Sequence, residues 1–468
     1  MARLTYDICV IGAGSAGLSV AAGTAQLGLD TILVERGKMG GECLNSGCVP
    51  SKAFLSLSKH VGHDVASTAG RFQFSRVKDG IQAAIDDIAP HDSVERFEGL
   101  GVRVLQTSAR FVDSNTLQAG EVTISARRFV IATGSRPALP DVPGFDSTKI
   151  LTNENIFALR DRPDHLVILG GGPIGIEMAL AHRRLGIAVT VIQRSTILPH
   201  DEAELVAILR VKLEASGICL LEQASVRSAF HDQRRVELVV ERAGATERIV
   251  GSHLLVATGR QPNIDDLGLD DAGVRYGSRG IVVDARLRTS QRHIFALGDA
   301  IDGPRFTHAA GYQAGIVIRN VAFRIPAKVD YAPLPWATYT DPELAHVGLG
   351  EAVARTKFGK NVRTVLLPLG ENDRAVTERR TDGAIKIVVG PRGRILGASI
   401  LAPAAGEMIG MWCLAISRKL TLRAIAGMTL PYPTFGEIGK AAAGRYYAPA
   451  LFSDRTRRIV RFLQWLPM

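Results

Sequence analysis

The chain has 468 residues, with 46% hydrophobic and 22% charged side chains and a net charge of +10. At roughly 150 residues per domain this length suggests about three domains, and the composition excludes a disordered chain. No apolar run reaches the ~18 residues of a membrane-spanning helix. The modest, scattered positive charge argues against nucleic-acid binding and favours a solvated surface that attracts anionic cofactors.

The five cysteines exclude two further classes of protein. A sparse, odd set is not the disulfide framework of a small secreted domain, and no His or Cys spacing is typical of structural zinc, so we predict no metal. The first residues, with Arg3 and an apolar run, resemble a signal peptide, but their glycine spacing is one that a signal peptide does not need. We therefore expect a cytoplasmic protein whose first strand begins near Tyr6.

The first elements of the chain occur twice. Residues 6–36 and 165–194 resemble each other, and from residue 7 onward they align without a gap at an offset of 158. Each segment contains an apolar β-rich run, a G-x-G-x-x-G loop, a helical stretch that ends at a Leu-Gly pair, and a second apolar run. This is the pattern of a βαβ unit, and two copies in register predict two dinucleotide-binding domains.

The glycines of each loop have separate physical tasks. The first allows a tight turn, the second lets the backbone approach a pyrophosphate, and the third lets the helix pack close to the strand. They are Gly12, Gly14 and Gly17 in the first copy and Gly170, Gly172 and Gly175 in the second, with Ser15, Ala16 and Ile174 in the same loops.

The two copies differ where the second strand ends. Glu35 lies 18 residues beyond Gly17, a position suited to bind a ribose hydroxyl pair, and Arg36 follows it. The matching residue of the second copy is Gln193, followed by Arg194. Loss of the carboxylate removes repulsion toward a 2′-phosphate, and an arginine could pair with one, so we favour NADP(H) over NAD(H). The alternative is that Arg194 is an ordinary solvated arginine.

Between the copies lies the segment GGECLNSGCVPSK, residues 40–52, which contains Cys43 and Cys48. A thiolate is the nucleophile in thiol–disulfide exchange and needs a lowered pKa. The sequence after Cys48 has a helical pattern over residues 51–60, and a helix N-terminus and Lys52 would both favour the thiolate. The alternative is two reduced, buried thiols without a redox role.

Later strands support the duplication. Residues 129–134 and 254–259 are both short apolar runs that end in Ala-Thr-Gly, which places Ala132, Thr133, Gly134 and Gly259 beside the two nucleotide sites. A further strand at residues 294–299 ends in a glycine and Asp299. A carboxylate at this end of a strand suits a second hydroxyl-rich contact on the first nucleotide.

The cysteine segment resembles the GGxCxNxGCxPSK signature of the flavoprotein pyridine nucleotide–disulfide oxidoreductases, and the resemblance covers nearly the whole chain. It implies that Cys48 faces the flavin, that Cys43 exchanges with substrate, and that Lys52 and Glu177 form an ion pair beside the flavin. It also implies an FAD site made of Gly12, Gly14, Ser15, Ala16, Gly17, Glu35, Arg36, Gly41, Lys52, Ala132, Thr133, Gly134 and Asp299. The implied nicotinamide nucleotide site consists of Gly170, Gly172, Ile174, Gly175, Gln193, Arg194 and Gly259.

The C-terminal region departs from the family pattern. Residues 339–343 and 405–408 are similar to the family's dimer-interface domain, which supplies a His-Pro-Thr-x-x-Glu segment whose His is the acid–base group. Here the segment reads Tyr432-Pro-Thr-Phe-Gly-Glu437. An unperturbed phenol titrates near ~10 and is a poor base near neutral pH, so ordinary dihydrolipoamide oxidation is put in doubt. The alternative is that Tyr432 simply packs at the interface.

The tail, residues 451–468, is basic and apolar at helix-like spacing and too short to span a bilayer. Its alternatives are packing on the dimer or a protein partner, an anionic membrane surface, or disorder.

These observations predict an α/β fold with two Rossmann-like dinucleotide-binding domains and a C-terminal α+β dimerisation domain. The expected ranges are 1–147 and 270–326 for FAD, 148–269 for NAD(P), 327–450 for the interface and 451–468 for the tail. We expect a homodimeric, dihydrolipoyl dehydrogenase-like enzyme that moves electrons between NAD(P)(H), FAD, a Cys43–Cys48 disulfide and an external disulfide or dithiol. The alternatives are a mercuric reductase-like enzyme, a reductase of quinones or other acceptors, and a membrane-surface flavoprotein with mainly an interaction role.

Overall fold

The structure is a computed structural model that describes residues 2–61, 70–145, 150–232 and 235–466. The expected domain boundary at 147/148 and the last two residues of the expected tail lie outside the described residues. The described strands are, in chain order, β1 (Ala2–Ile11), β2 (Thr31–Glu35), β3 (Val102–Gln106), β4 (Ala109–Asp113), β5 (Thr116–Ala119), β6 (Val122–Ile131), β7 (Ser135–Pro137), β8 (His165–Leu169), β9 (Ala188–Gln193), β10 (Ile218–Glu222), β11 (Ala224–His231), β12 (Val236–Arg242), β13 (Ala245–Gly251), β14 (His253–Val256), β15 (Arg260–Pro262), β16 (Tyr276–Gly277), β17 (Gly280–Ile281), β18 (Ile294–Ala296), β19 (Pro335–Thr338), β20 (Glu343–Gly348), β21 (Arg363–Pro368), β22 (Ala384–Val389) and β23 (Ile395–Ala402).

The described helices are α1 (Ser15–Gln26), α2 (Gly41–Asn45), α3 (Cys48–Val61), α4 (Gly70–Ile88), α5 (Val94–Gly99), α6 (Pro173–Arg184), α7 (Ala203–Ala215), α8 (Thr307–Val321), α9 (Glu351–Phe358), α10 (Asp373–Thr377), α11 (Ala405–Ser417), α12 (Leu422–Ala426), α13 (Glu437–Leu451) and α14 (Asp454–Trp465). The chain divides into two compact units, the first running to Ile197 and then over Gly217–Val329, the second comprising Leu198–Ser216 and the chain from Asp330 onward.

In the first unit, a seven-stranded sheet has the order β3-β2-β1-β6-β5-β4, and β18 also pairs with β6. Strands β1, β2, β3, β6 and β18 are parallel where they pair, and β4 and β5 run antiparallel. The parallel strands are rich in Val, Ile and Leu because both faces are covered, and their side chains form one continuous core. Strand β1 begins at Ala2 rather than near Tyr6, because its first residues already pair with β6.

The second copy of the repeat forms a parallel sheet of order β10-β9-β8-β14 in the same unit. Helices α1 and α6 occupy equivalent positions, and each ends at a leucine followed by a left-handed glycine, Gly28 and Gly186. The two parallel sheets with their crossover helices confirm the predicted pair of Rossmann-like domains. A three-stranded antiparallel sheet, β11-β12-β13, packs its buried side chains with those of this second sheet.

The second unit contains a five-stranded antiparallel sheet of order β19-β20-β23-β22-β21. Helices α11 and α13 contribute Trp412, Ile438 and Ala442 to its core. The two segments that were expected to belong to the interface domain meet here, because the backbone N–H of Gly406 donates to Glu343 at 2.9 Å. The unit therefore has the predicted α+β character.

Helix α7 belongs to the second unit, although the sequence placed it in the nucleotide domain at 148–269. The buried Lys386 on β22 lies 2.8 Å from Glu202 and 2.7 Å from Glu204, at the start of α7. The same ammonium lies 2.7 Å from Glu351 on α9. A buried ammonium requires such anionic neighbours, and they tie α7 to β22. No periodicity in the sequence shows this contact.

Candidate active site

Two glycines of the first glycine-rich loop leave no room for a side chain. A Cβ on Gly12 would come within 2.4 Å of the Ala132 carbonyl oxygen, and one on Gly17 within 1.8 Å of the Gly12 carbonyl oxygen. A Cβ on Gly41 would lie 2.6 Å from the Gly14 Cα. The loop between β1 and α1 is therefore a bare backbone surface of the kind that admits a pyrophosphate at a helix N-terminus.

The second loop repeats this geometry closely. A Cβ on Gly170 would lie 2.3 Å from the Ala257 carbonyl oxygen, and one on Gly175 would lie 1.9 Å from the Gly170 carbonyl oxygen. Nothing lies within 4 Å of the Cβ position of Gly172. The two glycine loops are therefore repeated in structure as well as in sequence. We call the backbone surface around Gly12, Gly14 and Gly17 the first cradle, and that around Gly170, Gly172 and Gly175 the second cradle.

The remaining residues of both expected sites lie where parallel strands end. Around the first loop, the ends of β2, β6 and β18 place Glu35, Arg36, Ala132, Thr133, Gly134 and Asp299, while Ser15 and Ala16 begin α1. Around the second loop, the ends of β9 and β14 place Gln193, Arg194 and Gly259, while Ile174 lies in the first turn of α6. Crevices at the carboxyl ends of such strands are where these folds bind nucleotides, so both residue sets fit a dinucleotide.

The side chains that end β2 and β9 both hold their own glycine loop. The Glu35 carboxylate accepts hydrogen bonds from the backbone N–H groups of Ala13 at 2.5 Å and Gly37 at 2.6 Å. The Gln193 amide oxygen accepts from Gly171 N–H at 2.9 Å, and its nitrogen donates to Ser195 at 2.8 Å. The second site thus has a neutral side chain where the first has an anion, and Arg194 beside it is exposed.

The two cysteines lie on adjacent short elements. Cys43 lies within α2, and Cys48 is the first residue of α3, three residues before the predicted helix start. One hydroxyl lies within hydrogen-bond distance of both sulfur atoms: Thr307 Oγ1 is 3.3 Å from Cys43 Sγ and 3.1 Å from Cys48 Sγ, and it can donate to whichever sulfur is the thiolate. Thr307 begins α8, more than 250 positions beyond the cysteines, and no motif in the sequence points to it.

The two thiols have opposite pKa shifts. A hydrogen bond from Cys43, with further contributions from Thr307 and Lys52, lowers the pKa of Cys48 to about 6, although burial opposes the shift. The same Cys43–Cys48 hydrogen bond, together with burial, raises the pKa of Cys43. Near neutral pH the reduced pair therefore has a thiolate at Cys48 and a thiol at Cys43.

The ammonium of Lys52 and the carboxylate of Glu177 form an ion pair in the first unit. Their Nζ and Oε2 atoms are 2.8 Å apart, with the Lys52 side chain 40% and the Glu177 side chain 5% exposed. The pair joins α3, which begins at Cys48, to α6 of the second glycine loop. Its position one turn from Cys48 lets the ammonium stabilise the thiolate.

A second polar network lies beside the cysteine segment and was also missed from the sequence. Ser135 Oγ donates to Asp299 at 2.6 Å, and Arg260 Nε donates to Ser135 Oγ at 2.7 Å. The Arg260 guanidinium also pairs with Glu42, the residue before Cys43. The only sequence signal was local, since Arg260 follows the second Ala-Thr-Gly motif and Glu42 occupies an unspecified position of the cysteine signature.

In the second unit, Tyr432 and Glu437 have different partners. The Tyr432 hydroxyl donates to Asp373 at 2.9 Å, and this hydrogen bond raises the pKa of the phenol, whose side chain is 71% exposed. Glu437, in the first turn of α13, accepts from the Thr434 backbone N–H at 3.2 Å. Both side chains line a surface pocket that Lys440 also borders. Tyr432 is available at the surface but is held in its protonated form.

The tail forms the helix α14, which begins with Ser453 as its N-cap. None of its described residues is buried, and Trp465 is 80% exposed. Among the residues that the structure describes, no helix has the length and apolar character needed to cross a bilayer.

Comparisons with known proteins agree with this geometry. The model of the pyridine nucleotide-disulphide oxidoreductase family matches residues 6–314, and the model of its dimerisation domain matches residues 334–443. A dihydrolipoyl dehydrogenase of Geobacillus stearothermophilus is 35% identical over 453 residues, which cover 93% of this chain and 95% of that protein. A mercuric reductase of Staphylococcus aureus is 32% identical over 451 residues, which cover 94% of this chain and 82% of that protein.

A solved structure also matches. The HOCl-induced flavoprotein disulfide reductase RclA from Escherichia coli aligns with a TM-score of 0.83 at 26% identity, covering 94% of this chain and 99% of that one. The dimerisation domain and these relatives indicate a homodimer. Two glycine cradles, a cysteine pair with one thiolate, and family models that match both halves point the same way: the chain belongs to the pyridine nucleotide-disulphide oxidoreductases, as an FAD-dependent, dihydrolipoyl dehydrogenase-like enzyme.

Proposed function

We propose that Cys43 and Cys48 are the redox-active pair, with Cys48 as the thiolate that faces the flavin and Cys43 as the thiol that exchanges with substrate. The observation that carries this proposal is the single Thr307 hydroxyl in contact with both sulfurs, together with their opposite pKa shifts. FAD supplies hydride chemistry when it is bound. The chain's own residues bind and orient the cofactor, and Lys52 and Glu177 fix the charge beside Cys48.

Reduction of an external disulfide would proceed by thiol–disulfide exchange. Two electrons, which NAD(P)H would supply when FAD is bound, open the Cys43–Cys48 bond; one proton from solvent goes to Cys43, and Cys48 remains a thiolate. Cys43 then releases its proton to solvent and attacks an external disulfide, which forms a mixed disulfide and releases one thiolate of the substrate. Cys48 then attacks Cys43, which restores the protein disulfide and releases the second substrate thiolate. In the opposite direction the same steps oxidise an external dithiol.

The test is spectroscopic. The two-electron-reduced protein should show the long-wavelength absorbance of a thiolate beside oxidised flavin. Cys48→Ser should abolish this band and Cys43→Ser should retain it. A wild-type protein without the band would sink the cysteine assignment.

We propose an external disulfide or dithiol, free or on a carrier, as the substrate. A panel of lipoamide, glutathione disulfide, mercuric ion and quinones, all with one reductant, compares the acceptor classes directly. Turnover of a disulfide well above the others supports the proposal, and a preference for the metal ion or a quinone overturns it.

We further propose NADP(H) as the preferred nicotinamide nucleotide. The neutral Gln193 and the exposed Arg194 at the end of β9 support this preference, because neither repels a 2′-phosphate and the guanidinium can pair with one. Arg194→Ala should lower kcat/KM for NADPH by about tenfold and leave that for NADH nearly unchanged. A preference for NADH that the substitution does not alter would contradict the proposal.

We also propose the other residue roles and the domain ranges expected from the sequence, except that α7 belongs to the second unit. The residues around the first cradle, with Glu35 and Asp299, would hold FAD, and those around the second would hold the nucleotide. We place the protein in the cytoplasm and propose that α14 brings it to an anionic membrane surface. The support is an exposed amphipathic helix with four arginines and one aspartate.

A further inference from the structure

The Arg260 guanidinium lies between two carboxylates. One nitrogen pairs with Glu42, and Nε lies 3.6 Å from Asp299 Oδ2. The guanidinium is also fixed by Ser135, whose hydroxyl accepts from Nε at 2.7 Å and whose carbonyl accepts from Nη2 at 3.0 Å. Since Ser135 in turn donates to Asp299, the three charged groups form one connected network.

This network is largely shielded from water. The side chain of Arg260 is 13% exposed, that of Asp299 22%, and that of Glu42 32%. Glu42 has a second partner, because Asn153 Nδ2 donates to its Oε1 at 2.8 Å. When Glu42 is ionised, the two carboxylates and one guanidinium give the cluster a net negative charge, in a place where charges interact more strongly than in bulk water.

The network also borders the first cradle. Glu42 directly follows Gly41, which packs on Gly14, and Asp299 is a residue that we assign to FAD. A dinucleotide brings a negatively charged pyrophosphate to this place. A carboxylate at position 42 would repel it unless a cation compensates.

We propose that Glu42 and Arg260 are positioning residues for FAD: Arg260 compensates the charge of Glu42 so that the anionic cofactor can bind at the first cradle. This inference rests on the proposed assignment of Asp299 to the FAD site. It predicts that substituting Arg260 weakens FAD binding when Glu42 is present and has little effect when Glu42 is also substituted.

The ionisation of Glu42 predicts how the affinity for FAD depends on pH. Burial raises the pKa of Glu42 to about 7, Arg260 opposes that shift, and Asp299, Cys48 and Glu154 add to it. Arg305 Nη1 donates to the Arg260 carbonyl oxygen at 2.5 Å, so a second arginine lies beside the Arg260 backbone. Above pH 7 Glu42 becomes an anion in the FAD-free chain, so the affinity for FAD should fall as the pH rises through this value.

The experiment is a double-mutant cycle on FAD dissociation from the full-length apoprotein, followed by flavin fluorescence. At pH 9, well above the pKa of about 7 that Glu42 has beside Arg260, Arg260→Met should weaken binding by about tenfold or more, Glu42→Gln should bind as tightly as wild type or more tightly, and the double variant should lie within roughly threefold of wild type. A double variant as weak as Arg260→Met overturns the proposal, because Arg260 would then act without reference to Glu42.

Two controls keep the result interpretable. Arg110→Met removes an exposed arginine that pairs with Asp271 at 2.9 Å, and it should leave FAD affinity unchanged. If Arg260→Met does not fold, the pH profile decides: wild-type affinity should fall through neutral pH and that of Glu42→Gln should stay flat, and equal slopes overturn the proposal. Asp299→Asn tests the underlying assignment separately, because unchanged affinity there means that Asp299 is not at the FAD site.

Discussion

The hydroxyl of Thr307 is a small group with a large expected effect, because it contacts both sulfurs of the cysteine pair. Thr307→Val removes a hydrogen bond to the Cys48 thiolate, and a hydrogen bond to a charged group is worth roughly 1.5–3 kcal/mol, so the pKa of Cys48 should rise by about one unit or more. Because thiolate forms as pH rises through the pKa, alkylation of the reduced variant by iodoacetamide should need a higher pH than in wild type, whose midpoint is expected at about 6.

The control for this experiment is Thr377→Val, in the second unit, whose hydroxyl donates to the Arg374 carbonyl oxygen at 2.9 Å. It should leave the midpoint unchanged. An unchanged midpoint in Thr307→Val as well would show that the hydroxyl does not stabilise the thiolate.

The raised pKa of Tyr432 leads to a prediction about dihydrolipoamide oxidation that is specific to this chain. The Asp373 carboxylate raises the pKa of the phenol, so Tyr432 does not accept a proton near neutral pH. Tyr432→His should therefore raise dihydrolipoamide oxidation at pH 7 severalfold, since an imidazole titrates near ~6.5. Tyr276→His is a matched control, because Tyr276 is another exposed phenol that donates to a carboxylate, Asp270, at 3.1 Å. No gain in Tyr432→His would mean that the phenol does not limit this reaction.

Residues within one motif could be found from the sequence, and residues brought from afar could not. Cys43, Cys48 and Lys52 lie within a single segment, whose spacing predicts their chemistry. Thr307 and Arg260 come from separate segments, far along the chain. A threonine or an arginine has no characteristic spacing, so only the fold reveals its contact with a thiol or a carboxylate.

At the scale of elements, substitutions in the two glycine loops should affect the binding of different cofactors. Gly17→Ala places a Cβ against the Gly12 carbonyl oxygen and should abolish FAD retention, measured as flavin content of the purified protein. Gly175→Ala makes the same clash with Gly170 in the second copy, so it should keep FAD and weaken NAD(P)H binding at least tenfold.

Gly315→Ala in α8 is the matched control, because nothing lies within 4 Å of its Cβ position. An alanine within a helix is favoured over glycine by about 1 kcal/mol, so this variant should be fully loaded and slightly more stable. Loss of FAD in Gly175→Ala together with retention in Gly17→Ala would reverse the assignment of the two loops.

Elements with a strong local pattern were predicted well, and their exact limits and partners were not. Both βαβ units were evident because apolar periodicity and glycine spacing act within about 30 residues. The helix after the cysteines begins at Cys48, not at residue 51. Helix α7 joins the second unit through the ion pairs of Lys386, a contact that spans more than 180 positions of sequence.

At the scale of the whole molecule, α14 should control attachment to membranes without affecting catalysis. The full-length protein should sediment with vesicles of phosphatidylcholine and phosphatidylglycerol and not with phosphatidylcholine alone, and high salt should release it, because each arginine near an anionic surface contributes about 1 kcal/mol. Ile459→Asp with Leu463→Asp should abolish sedimentation and leave turnover unchanged.

Val353→Asp, on the exposed side of α9, is the control and should sediment like wild type. If truncation after Phe452 converts the dimer to monomers and the full-length protein never sediments, then α14 packs on a second copy and the membrane proposal is wrong.

The sequence by itself determined the two dinucleotide folds and the family, and it predicted the cysteine pair, because each depends on residues close together in one segment or on a repeat of such a segment. The tertiary structure decided which hydroxyl stabilises the thiolate, which cation compensates Glu42, and which unit holds α7. Those contacts join distant segments through single polar atoms. Their energies depend on burial and on distances of a few ångströms, and neither quantity can be read from linear order.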